Sequence, residues 1–144
     1  MNTPTVEQLR AAWSAAPYTT REILENLYGA DIKADIRDRV KTYKDALCFT
    51  TSYRCQINDG VAAFEELQTV VKALNEGWTP DWSNEDEKKW YPWFGFRDGR
   101  FVFSSVGCVF THSFLGSRLC FRTRELAEYA GKQFEDLYNQ FLSL

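Results

Sequence analysis

The sequence holds few of the residues that do chemistry. One histidine and one methionine stand among 144 residues, with four cysteines, four prolines and eight glycines. A lone imidazole excludes a histidine-rich metal cage. Cys48, Cys55, Cys108 and Cys120 lack the paired Cys-x-x-Cys spacing of structural zinc. Cys108-x3-His112-x7-Cys120 is the nearest approach to a ligand set or a Cys/His couple, and no nucleophile motif accompanies it, so neither a bound metal nor catalysis is expected. The cysteines read as reduced, mostly buried small hydrophobes, and the cytoplasm is the expected setting. No stretch reaches the roughly 20 apolar residues of a membrane span, and Glu7 and Arg10 interrupt the start where a secretory core would lie. Gly95, Gly99, Gly107 and Gly116 are spaced as hairpin glycines and form no phosphate loop or dinucleotide fingerprint, so no cofactor is expected. With 44% hydrophobic and 26% charged residues the chain is of globular composition, and its length suits one domain.

Aromatic residues are what the chain has in excess: five Trp, seven Tyr and eleven Phe, 16% of the whole. The net charge of −3 hides an uneven distribution. Residues 1–87 carry nine basic and fifteen acidic side chains, whereas 88–124 carry seven basic (Lys88, Lys89, Arg97, Arg100, Arg118, Arg122, Arg124) against Asp98 alone. Residues 125–144 return to one basic and four acidic. The positive segment also holds ten of the 23 aromatics, so cations and rings coincide in one quarter of the chain.

Periodicity orders the chain as α+β. Thr5 with Gln8 forms a capping box ahead of Val6, Leu9, Trp13 and Ala16, and Pro17 ends that helix. Thr19 with Glu22 predicts a second start, running through Leu27 to Gly29. Ile32, Ile36, Val40, Tyr43 and Leu47 predict one helix over about 32–47, its charged residues alternating in sign as on a solvated face. A fourth helix near 60–76 carries Phe64, Leu67, Val71 and Leu74 and stops at Gly77. The stretch 77–88, GWTPDWSNEDEK, reads as a linker packed down by its tryptophans, between a mainly helical part (1–76) and a second part (89–144) of one single domain. There the period changes to two, predicting a four-stranded antiparallel meander over 89–96, 100–106, 108–114 and 117–122, with a tight turn at Asp98-Gly99. A final helix over 124–142, capped by Thr123, is expected to pack on the meander through Leu126, Ala130, Phe134, Leu137 and Phe141.

The segments KKWYPWFGF (88–96), GSRLCF (116–121) and ELAEYAGKQFEDLYNQFL (125–142) resemble those of small uncharacterised proteins encoded by phages and mobile elements of gut Bacteroidota. ALNEGWTPDW (73–82) and IRDRVKTYKDAL (36–47) fit the same group, and CFTTSYRCQINDG (48–60) departs from it. The resemblance implies a phage or prophage product acting inside a bacterial host, and implies no activity, ligand or site residue.

Alternation sets Arg118 and Arg122 on one face of the last strand and Arg100 opposite Phe101 and Phe103 on the second, so a cationic face against an apolar one is expected. Such a face holds single-stranded nucleic acid when rings are added, and Trp90, Tyr91 and Trp93 are the stacking candidates, with Arg97, Arg100, Arg118 and Arg122 toward phosphate. The plainer expectation is that the phenylalanines pack on the last helix and the arginines are merely solvated. The partner is therefore expected to be single-stranded DNA or RNA. The alternative is a protein interface, with a host protein or a second copy of the chain, and no membrane in either case.

Overall fold

The computed structural model describes residues 4–29, 32, 33, 35–49, 59–112 and 117–143. The chain divides into two compact units, Met1–Arg39 and Val40–Leu144. The 77–88 stretch lies inside the second.

In the first unit α1 (Val6–Ala15) opens on the expected capping box, with Gln8 N–H donating to Thr5 Oγ1 and Thr5 N–H to Gln8 Oε1. α2 (Tyr18–Tyr28) begins earlier than Thr19: Pro17 is its cap, its carbonyl accepting from the N–H groups of Thr20 and Arg21. A proline at φ −58° already has helical φ, so the helix starts directly behind it. Trp13 is buried, its Nε1–H donates to Glu25 at 2.8 Å, and the guanidinium groups of Arg21 and Arg39 lie over its ring. Arg21 also donates to the Trp13 and Ser14 carbonyls at the end of α1, the first of which accepts from Ala16 N–H as well.

The helix expected over 32–47 is not continuous. α3 is the single turn Ile36–Arg39, and α4 (Tyr43–Leu47) starts afresh in the second unit. The cause is competition from short polar side chains for backbone donors. Asp35 accepts from Arg37 N–H, and Thr42 and Asp45 form a complete capping box around an extended Thr42 at φ −133°. Residues that count as a solvated face are here start signals.

In the second unit α5 (Asp59–Asn75) buries Ala63, Leu67, Val70, Val71 and Leu74 against α4, α7 (Glu135–Leu142) and the turn at 117–119. It ends at Glu76 and Gly77, both at positive φ. Two antiparallel strands, β1 (Lys89–Arg97) and β2 (Arg100–Val109), then form a hairpin across Asp98-Gly99, whose φ values of +48° and +82° are those of the expected type I′ turn. Trp93 faces Ser105 and Phe94 faces Phe103, so Ser104 is left over as a bulge.

Among the described residues the meander of four strands is not formed. β2 runs through Gly107 to Val109, because the Tyr91 ring lies across Gly107, where a Cβ would stand 2.6 Å from Tyr91 Cζ. Residues 113–116 of the expected third strand lie outside the described residues. The expected fourth strand is a 3-10 turn at Ser117–Leu119 followed by one bridge, Phe121 to Trp90, with hydrogen bonds of 2.7 and 3.0 Å. The far edge of β2 is closed by side chains: Phe101 N–H donates to Asn139 Oδ1 and Phe103 N–H to Glu135 Oε2. A helix thus stands where a third strand would pair, and the edge is covered.

The last helix is two helices, α6 (Arg124–Gln133) and α7, parted at Phe134 with φ −112° and ψ 27°. α6 lies on both strands through Gly131, where a Cβ would stand 2.4 Å from Phe103 Cδ2 and 2.8 Å from Pro92 Cβ. The break moves the buried position of α7 from Leu137 to Tyr138, whose ring packs 4.7 Å from Phe94. Among the described residues no helix is long and apolar enough to cross a membrane.

Candidate ligand-binding surface

Pro92 against Gly131 fixes which side of the hairpin faces inward. By alternation Trp90, Pro92 and Phe94 share that face with Phe103 and Val106, while Tyr91, Trp93 and Arg97 point the other way with Val102 and Ser105. The three expected stacking residues are therefore divided. Trp90 is half-buried on the packed side, with Lys88 Nζ 5.7 Å from its ring. Tyr91 and Trp93 stay together outside, ring centroids 6.2 Å apart and edge-to-face. Trp93 is 52% exposed in the middle of β1.

The cations do not form a shared face. Arg100 is drawn to α7, its Nη2 3.3 Å from Glu135 and 2.7 Å from Asp136. Arg122 pairs with Glu76 at 2.8 Å. Arg97 is exposed at the hairpin end, and neither it nor Arg118 makes an ion pair or hydrogen bond among the described residues. Arg118 sits on the 3-10 turn instead of a strand. Lys89, counted with the solvated cations by composition, is fully buried: its Nζ donates to the carbonyls of Asn84 and Glu87, meets the Glu87 carboxylate at 3.3 Å and lies 5.5 Å from the Trp82 ring. The acidic loop before β1 is folded around that ammonium, with Glu87 Oε1 also accepting from Asp81 N–H and the Asp81 carboxylate from Ser83. These bonds to Ser83 hold the Asp81 carboxyl below its ordinary value.

Burial pushes the Cys120 thiol up to about 11, so it remains protonated at neutral pH, and it likewise raises the Tyr138 phenol. His112 Nδ1 lies 3.3 Å from Thr111 Oγ1. Among the described residues no three His, Cys, Asp or Glu side chains gather as a metal site. The surface that remains is an aromatic face, Tyr91 with Trp93, with Arg97 at its rim. Trp78 and Trp82, expected only to pack the 77–88 stretch down, both line a surface groove, and nothing in the Trp-Thr-Pro-Asp-Trp spacing marked them as a site. Comparison with protein-family models, curated proteins and solved structures finds no match for this chain.

Proposed function

We propose that this chain is a non-catalytic binding protein, of the phage or mobile-element kind its motifs resemble, that takes single-stranded DNA or RNA on the outward face of its hairpin. One observation carries the reading: a half-exposed Trp93 with Tyr91 edge-on beside it, on strands whose opposite face is packed on α6 and α7. Exposed rings stack bases of any identity for about 1–3 kcal/mol each. Arg97 supplies the phosphate contact, and with Arg100 and Arg122 committed to carboxylates the contact involves few phosphates.

A second reading is favoured by Phe96 and Phe110, 64% and 41% exposed along the same hairpin: an apolar interface for a host protein or a second copy. Fluorescence anisotropy of a labelled oligothymidylate separates the two. The nucleic-acid reading predicts saturable binding that weakens about tenfold or more in Trp93→Ala, the loss of one stacked base. No binding by the wild-type protein, or equal binding by the variant, overturns it.

A further inference from the structure

A groove of about 510 Å³ opens in the second unit between α5 and the loop that follows it, and no residue of the hairpin lines it. Trp78, Pro80 and Trp82 wall it, and Lys72 from α5 and Arg118 from the 3-10 turn stand at it. Its volume is that of a small-molecule site, and two indoles with two cations are an unusual lining for a surface depression. The wall is held in position from behind. Lys89 Nζ fixes the 84–87 loop and lies over Trp82, and Asn75, buried, ties α5 to the turn by donating to the Cys120 carbonyl and accepting from Arg122 N–H. Lys72 and Arg118 have no hydrogen bond or ion pair among the described residues, and the carboxylate four residues after Lys72, Glu76, is bound to Arg122. The groove therefore offers flat apolar walls and two uncommitted positive charges. An anion that carries a planar ring satisfies both.

We propose that this groove binds a free nucleoside monophosphate, its base against Trp78 and Trp82 and its phosphate between Lys72 and Arg118. Gln68 and Thr79, also at the groove, are the polar groups available to the base edge. The site is independent of the hairpin surface.

The test is 19F NMR of the full chain labelled with 5-fluorotryptophan, whose five resonances are assigned by single Trp→Phe variants. Adding AMP is expected to shift the Trp78 and Trp82 signals saturably and leave Trp93 unmoved. Lys72→Ala and Arg118→Ala, both exposed positions that do not threaten folding, are each expected to weaken binding about tenfold, the loss of one charge-assisted contact. Adenosine is expected to bind more weakly than AMP. Unshifted Trp78 and Trp82 signals at millimolar AMP overturn the proposal, as does inorganic phosphate reproducing the full effect of AMP. A shift confined to Trp93 also overturns it, while leaving the hairpin reading intact.

Discussion

Lys89→Met removes a fully buried ammonium and keeps the length of the side chain. Two hydrogen bonds go, to Asn84 O at 3.1 Å and Glu87 O at 2.9 Å, together with the 3.3 Å approach to the Glu87 carboxylate. Bonds from a charged donor contribute roughly 1.5–3 kcal/mol each. Against that loss stands the relief of no longer desolvating an ammonium. The Glu87 side chain is 26% exposed and regains water, which moderates the cost of an orphaned partner. The net destabilisation is about 2–3 kcal/mol, or roughly 5–10 °C in Tm for a chain of this size. Lys88→Met is the control: the Lys88 ammonium only lies over the Trp90 ring, and about 0.5 kcal/mol or less is expected. Urea unfolding followed by tryptophan fluorescence measures both. Equal stability of the two variants would refute the view that the 81–87 loop is folded around Lys89.

Asn75→Ala leaves the buried Cys120 carbonyl and the part-buried Arg122 N–H unpaired, and urea unfolding should show a loss of about 2–3 kcal/mol. Gly131→Ala improves helix propensity by about 1 kcal/mol, yet its methyl meets Phe103 and Pro92 of the packed hairpin, so calorimetry should show a net loss of about 1–2 kcal/mol. Cys120, raised to about 11 by burial, should resist a disulfide reagent at neutral pH until the protein unfolds, whereas exposed Cys48 reacts at once. The Arg37 guanidinium holds the Asp35 carboxyl at about 2 against an ordinary 3.8, so its contribution is present above pH 3.8 and is lost as pH falls through about 2. Because both side chains are over 40% exposed, Asp35→Asn should cost well under about 1 kcal/mol at neutral pH and nothing below pH 2.

Local signals in this sequence were legible where one interaction decides the backbone. Thr5 with Gln8, Gly29, Gly77 and Asp98-Gly99 all act as their side chains dictate. Periodicity failed where caps or tertiary contacts override it. The stripe from Ile32 to Leu47 has helical spacing, but Thr42 and Asp45 take the backbone donors and restart the helix. Gly107 and the alternation around it suggest a strand end; the Tyr91 ring on the neighbouring strand makes it a strand interior. The edge of β2 where a third strand was expected is taken by α7, whose Glu135 and Asn139 accept its N–H groups from more than thirty residues away, a separation no local pattern reports. The same distance hid the fate of the cations. Arg100 and Arg122 count as free charge in a composition, yet Asp136 and Glu76 neutralise them in the fold. Trp90, Tyr91 and Trp93 were grouped as one stacking set, yet strict alternation along β1 separates Trp90 from the other two, because a strand's side-chain period depends on the backbone alone.

The most direct test of binding at the hairpin is a titration of the wild-type protein with a short single-stranded oligonucleotide at about 50 and about 200 mM salt, following tryptophan emission. With one or two phosphates engaged by Arg97 and its surroundings, a single-strand slope of about −0.7 per phosphate gives a three- to sevenfold loss of affinity between those salts. Saturable quenching with that modest salt dependence, absent in Trp93→Phe, is the predicted result. Emission that stays flat at both salts, or quenching that persists unchanged without Trp93, would contradict it.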